Sequence, residues 1–208
     1  MHKTYTADEL YEQLKYIKIS STTCRFTIEK CHQMAPIVNE INTLKKEVNA
    51  IILAHSYVNP EIIHTVADYV GDSYELSKKA SQCSSEIILF SAVKFMAETA
   101  KIINPNKKVY IPSQYNGCSL ADSITKDDVI QLRKQYPDHC FVCYINTSAA
   151  VKSVCDVCVT SSNATRIISK IPNDKIYFLP DRLMGENIRN DLTQAGIKKE
   201  LRYSQGAC

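Results

Sequence analysis

A bias of charge is what this sequence most clearly lacks. Its 208 residues carry a net charge of only +3, and the lysines are scattered rather than gathered into a run. That excludes the basic footprint of a nucleic-acid binder. Long apolar runs are also missing: none approaches the roughly 18 residues a membrane-spanning helix needs. The stretch Met1-His2-Lys3-Thr4-Tyr5-Thr6 has no apolar core of the kind a secretory signal carries, so a cytoplasmic location is expected. Cysteine, by contrast, is plentiful at nine residues. In a reducing compartment these stay thiols, and those with a function are metal ligands or redox groups rather than disulfides. The odd count agrees with that.

What the sequence does contain is a long internal repeat. Asp68 matches Asp156 at an offset of 88 (156 − 68), and the same offset pairs Ser73 with Ser161, Phe90 with Phe178, Met96 with Met184 and Glu98 with Glu186. Asn116-Gly117-Cys118 then answers Gly206-Ala207-Cys208 with the register slipped by two residues. Solenoid repeats run about 20–50 residues, so a period this long means duplicated domains. Each copy ends in one thiol with a glycine close before it. That arrangement points to a metal centre shared between domains.

The pattern of apolar residues gives an α/β fold of two repeated three-layer domains, parallel sheets flanked by helices. Residues 1–49 read as a helical N-terminal extension, with Leu10, Leu14 and Ile17 at helical spacing. Pro36 predicts a second helix start before Ile37, Ile41 and Leu44. Cys24 and Cys31 in this extension read as packing residues. The first domain spans 50–118 and the second 119–208. Short strands are expected at Ile51–Ala54, Glu86–Phe90, Lys108–Ile111, Phe141–Ile145, Val157–Thr160, Ile176–Leu179 and Glu200–Tyr203. Helices over 74–80, 95–103, 125–135, 149–154, 164–171 and 182–192 alternate with them.

Parallel sheets bind ligands outside the carboxyl ends of their strands. His55, Tyr57, Tyr144, Asn146 and Ser161 fall at or just after such ends. Strand alternation would turn His55 and Tyr57 to one side, and Tyr144 and Asn146 likewise; a satisfied buried histidine is the alternative for His55. Ser73 and Ser161 stand at helix starts, where serine caps the helix and where free N–H groups also welcome a carboxylate or phosphate. Cys118, in a loop of turn formers, can reach outward to metal, as can Cys208. Cys140, Cys143, Cys155 and Cys158 form a C-x2-C-x11-C-x2-C spacing like that of a zinc site. Against zinc, Cys140 and Cys143 lie three apart in a strand pattern, where they face opposite ways, and no glycine knuckle bends either pair.

Together, His55-Ser56-Tyr57, Gly71-Asp72-Ser73, Phe95-Met96-Ala97-Glu98-Thr99-Ala100-Lys101, Asn116-Gly117-Cys118-Ser119, Tyr144-Ile145-Asn146-Thr147-Ser148 and Val159-Thr160-Ser161-Ser162-Asn163-Ala164 resemble the quinolinate synthase family from about residue 36 onward. The resemblance implies three similar domains about a pseudo-threefold axis, each giving one cysteine to a [4Fe–4S] cluster. It implies condensation of iminoaspartate with dihydroxyacetone phosphate to quinolinate, with loss of phosphate and water, for NAD synthesis. By resemblance, Cys118 and Cys208 are cluster ligands, and His55, Ser73, Tyr144, Asn146 and Ser161 contact iminoaspartate or its products. Tyr57 matches a tyrosine implicated in proton transfer, with His55 beside it in the catalytic set. The family's third domain, with its His-Pro-Glu segment and third cysteine, has no counterpart before Cys208. The expectation is a chain inactive alone, or completed by another chain. The alternative is a non-catalytic zinc module or degenerate partner subunit.

Overall fold

The computed structural model describes residues 4–17 and 26–207. By its contacts the chain divides after Asn116 into two compact units.

The first unit begins with α1 (Ala7–Leu14) and α2 (Ile28–Glu47). Thr6 caps α1 by accepting from the Glu9 N–H while the Glu9 side chain accepts from the Thr6 N–H, so two orphan donors are satisfied reciprocally. Thr27 caps α2 through the Lys30 N–H. Pro36 therefore does not start a helix; it sits inside α2. Proline removes one intrahelical hydrogen bond there. The helix runs through because Cys31, Ala35, Val38, Asn42 and Lys45 form its buried stripe. Of the apolar series, Ile41 packs partly against the core, whereas Ile37 and Leu44 are 59% and 53% exposed. Cys31 is fully buried in the core with Leu10, Leu14 and Val38, while Cys24 lies outside the described residues.

Next come β1 (Ala50–His55), α3 (Pro60–Thr65), β2 (Tyr69–Gly71), α4 (Ser73–Gln82), β3 (Ile87–Ser91), α5 (Lys94–Ile103) and β4 (Lys108–Tyr110). The four strands form a parallel sheet in the order β2-β1-β3-β4. Strand β2 is additional to the strands expected from the sequence. Alternate residues of β1 and β3 serve opposite faces, and Leu53, Ile88 and Phe90 are fully buried. Over β3 and β4 the other face keeps an apolar groove of about 410 Å³, with Ile41, Leu44, Val48, Leu89 and Tyr110 in its wall.

The second unit repeats the plan. After a short 3-10 turn at Ala121–Ser123 follow α6 (Lys126–Gln135), β5 (Cys140–Tyr144), α7 (Ala149–Lys152), β6 (Val157–Val159), α8 (Ala164–Lys170), β7 (Lys175–Leu179), α9 (Arg182–Gln194) and β8 (Glu200–Tyr203). Its sheet is parallel in the order β6-β5-β7-β8, the same topology as the first. Strand alternation splits β5 between two cores. Cys140, Val142 and Tyr144 pack with Ile168, Phe178 and Ile188, whereas Phe141 and Cys143 pack with Val129, Val151 and Tyr177.

The duplication extends to individual hydrogen bonds. Asp68 accepts from the Ile52 N–H at 2.7 Å and from Lys45 Nζ at 2.9 Å. Asp156 accepts from the Phe141 N–H at 2.8 Å and from both guanidinium nitrogens of Arg133 at 2.9 Å. Each aspartate ties the start of one edge strand to the central strand and to the helix before it.

Candidate functional site

In both sheets the order in which strands are added changes sense at one pair of neighbours, β1/β3 in one unit and β5/β7 in the other. Crevices at the carboxyl ends of such strands are where open parallel sheets bind ligands.

In the first unit this end holds His55, Tyr57 and Ser73. His55 is the last residue of β1 and is in register with Gly71 of β2, whose carbonyl accepts from the Ser56 N–H at 3.2 Å. Ser73 follows two residues later as the first residue of α4. Because β1 ends at His55, strand alternation does not bring Tyr57 alongside; a turn closed by the Val58 N–H to the His55 carbonyl (3.1 Å) does so. The two rings lie 4.1 Å apart, and the Tyr57 N–H donates to His55 Nδ1 at 3.4 Å. That bond makes Nδ1 an acceptor and leaves the proton of the neutral ring on Nε2. Burial lowers the pKa of His55, and the opposing effect of the Asp72 carboxylate is smaller. The imidazole is therefore a neutral hydrogen-bond donor at neutral pH. Tyr57 Oη accepts from the Val93 N–H at 3.2 Å, so the phenol bridges the crevice from the end of β1 to the start of α5.

The helix-cap role does not fall to Ser73. Asp72 Oδ1 accepts from the Glu75 N–H at 2.9 Å, and the Asp72 carbonyl accepts from the Leu76 N–H at 3.0 Å. The Ser73 hydroxyl makes no hydrogen bond among the described residues, which leaves it for a ligand.

In the second unit Tyr144 ends β5 in register with Val159 of β6, and the Ile145 N–H donates to the Val159 carbonyl at 2.8 Å. Ser161 again follows two residues later. Tyr144 thus takes the place of His55, and Asn146 that of Tyr57, one residue out of the 88-residue register. The likeness stops at the helix. Ser161 lies in a turn, and α8 begins only at Ala164, because Asn163 Oδ1 accepts from the Thr160 N–H at 2.8 Å and holds the turn open. Ser161 and Asn146 side chains make no hydrogen bonds among the described residues. No sequence pattern marks Lys152. Its Nζ donates to the Ile145 carbonyl at 2.8 Å and also to the Thr147 carbonyl, stapling the loop that carries Asn146.

Cys118 is a half-buried free thiol early in the second unit. Its N–H donates to Asp122 Oδ2 at 3.1 Å and its carbonyl accepts from the Asp122 N–H at 2.8 Å, so the loop is clamped at both ends. Cys208 lies outside the described residues. Two residues before it, Gly206 accepts from the Arg182 N–H at 2.9 Å, as Asn116 accepts from the Lys94 N–H at 2.8 Å. The two-residue slip therefore has a counterpart in the backbone contacts that precede both thiols. A side chain on Gly206 would meet the Pro180 carbonyl oxygen at 2.5 Å, which explains the glycine.

Residues 39–208 match the family model described as quinolinate synthetase A protein. The chain belongs to that family. It is 47% identical over 176 residues to the quinolinate synthase of Aquifex aeolicus, an alignment that covers 85% of this chain and 53% of the relative. Similarity to the quinolinate synthases of Thermus thermophilus (49% identity; 79% of this chain, 57% of the relative) and Clostridium perfringens (53%; 74% and 50%) has the same extent. The chain spans about half the length of the curated relatives it matches.

For a quinolinate synthetase A chain the donor set matters. Cys118 fits a cluster ligand: its sulfur makes no hydrogen bond among the described residues and its loop is held rigid from the backbone. The zinc spacing does not assemble a site. Cys140 packs into one core and Cys143 and Cys155 into the other. Among the described residues no group of three or more His, Cys, Asp or Glu side chains could hold a metal ion. No helix among them is long and apolar enough to cross a membrane.

Proposed function

We propose that this chain supplies two of the repeated domains of a quinolinate synthase, which condenses iminoaspartate with dihydroxyacetone phosphate and releases phosphate and water. The observation that carries the reading is the twofold recurrence of one half-site: a polar ring at the end of a central strand and an unbonded serine hydroxyl two residues past its edge-strand partner. Ser73 and Ser161 donate to the two carboxylates of iminoaspartate. His55 donates through Nε2 to a substrate oxygen, and Tyr144 and Asn146 are further substrate contacts. Tyr57, with its oxygen already accepting from the Val93 N–H, keeps its own proton to exchange with the reacting carbon.

Cys118 and Cys208 would hold a [4Fe–4S] cluster, which, with one iron open, supplies a Lewis acid that eases loss of water. A third thiolate comes from polypeptide beyond these two units, in this chain's continuation or in a partner. The cytoplasm is the compartment where these thiols stay reduced, and the product feeds NAD synthesis.

Calorimetry with quinolinate as the probe tests the half-sites. The chain is expected to bind it, with Ser73→Ala and Ser161→Ala each weakening binding by about 10- to 150-fold, the loss of one charge-assisted hydrogen bond. Unchanged affinity in both variants overturns the carboxylate assignment. After anaerobic reconstitution the chain alone should form no quinolinate; robust turnover refutes the need for further polypeptide.

A further inference from the structure

Cys143 and Cys158 are register partners on the neighbouring parallel strands β5 and β6. Residues so paired point to the same face of the sheet. Val157 and Val159 belong to the core on one side, so Cys158 between them turns to the other, the side of Cys143 and Cys155. The two thiols differ sharply in access. Cys143 is fully buried, whereas Cys158 is exposed because β6 is the edge strand of its sheet. Paired strands stand about 4.8 Å apart, within the Cα separation of about 4.4–6.8 Å that a disulfide requires.

We propose that Cys143 and Cys158 form a reversible cross-strand disulfide under peroxide, with Cys158 as the residue that meets the oxidant and Cys143 as the one that resolves it. The Cys158 sulfur attacks one oxygen of hydrogen peroxide; the O–O bond breaks, hydroxide leaves and is protonated to water, and a sulfenic acid remains. The Cys143 sulfur then attacks the Cys158 sulfur, the S–OH bond breaks, and a second water departs with the Cys143 proton. Two thiols have given two electrons and two protons to one peroxide. Contact with the Cys155 thiol, and to a lesser extent burial, pushes Cys143 up to about 12, and contact with Cys143 raises Cys158. The pair therefore rests protonated and reacts slowly, with the Lys152 ammonium favouring the Cys158 thiolate. The bridge would lie directly before Tyr144 and three residues before Ser161. It would fix the spacing of two strand ends that carry candidate site residues.

Trypsin cuts after Lys134, Lys152 and Arg166, so the two cysteines leave on different peptides. Reduced chain is treated with excess hydrogen peroxide, alkylated and digested without reductant. The Cys140→Ser/Cys155→Ser variant, in which only this pair remains on those peptides, is expected to give the cross-linked pair in most molecules. Dithiothreitol should release it, and adding Cys158→Ser should abolish it. Two results overturn the proposal: Cys158 oxidised to sulfinic acid while Cys143 remains alkylatable, or a wild-type bridge that runs to Cys155 instead.

Discussion

Removing Asp68 should harm the chain more than removing Asp156, although the two occupy the same place in the repeat. Both carboxylates accept a backbone N–H from the central strand and a cation from the preceding helix. The cations differ in burial. Lys45 is only 6% exposed, and its remaining partner is the Val66 carbonyl at 2.5 Å. Arg133 and Asp156 are each 39% exposed. Asp68→Ala leaves a buried ammonium without its counter-charge, a loss of about 3–5 kcal/mol. Asp156→Ala leaves the Phe141 N–H without its side-chain partner at about 1–3 kcal/mol, and its solvated ion pair adds little. Urea denaturation gives the two losses, and hydrogen exchange at the Ile52 and Phe141 amides assigns each to its unit. In the Asp68→Ala background, Lys45→Met should recover part of the loss by removing the stranded charge. Equal losses, a larger loss for Asp156→Ala, or no recovery with Lys45→Met would refute the reasoning.

Further outcomes follow from single contacts. Gly206→Ala should destabilise the second unit by about 1–3 kcal/mol, since its Cβ would press on the Pro180 carbonyl and Ser123 Oγ; denaturation midpoints check this. The Asp138 carboxyl is held down at about 2, chiefly by the hydrogen bond from Lys175 and then by His139. Its contribution to stability is complete above the ordinary value of 3.8 and is lost as pH falls through about 2. Asp138→Asn should therefore flatten the acid limb of a stability–pH profile and leave its shape above pH 5 unchanged. Phe90→Ala and Phe178→Ala, fully buried counterparts in the two sheets, should each cost about 3–5 kcal/mol in denaturant melts.

Much of the fold could be read because parallel strands buried on both faces are short apolar runs, as the interior strands β1, β3, β5 and β7 are. Strand β2 escaped because Tyr69, Val70 and Gly71 form a brief, largely exposed edge. Yet subtracting 88 from Val157–Val159 gives 69–71, so the repeat itself contained the signal. The α2 stripe misled for a different reason. Its buried face includes Asn42 and Lys45, polar residues satisfied by the Thr65 and Val66 carbonyls. A pattern of apolar residues alone misses these two members of the face. At the site, the strand-end placement of His55 and Tyr144 was legible from sequence. The cap was not, because Asp72 and Ser73 are both good caps and only geometry shows that the aspartate takes the role. Nor did any pattern mark Lys152, whose partners are backbone carbonyls.

The central claim is that the two repeats each contribute one thiol to a single iron–sulfur centre. Iron and sulfide content after anaerobic reconstitution, compared across Cys118→Ser, Cys208→Ser and Cys155→Ser, tests it most directly. The account predicts that the brown absorbance and the bound iron disappear in the first two variants and persist in the third. Iron retained by Cys118→Ser, or a metal lost only with Cys155, would contradict it.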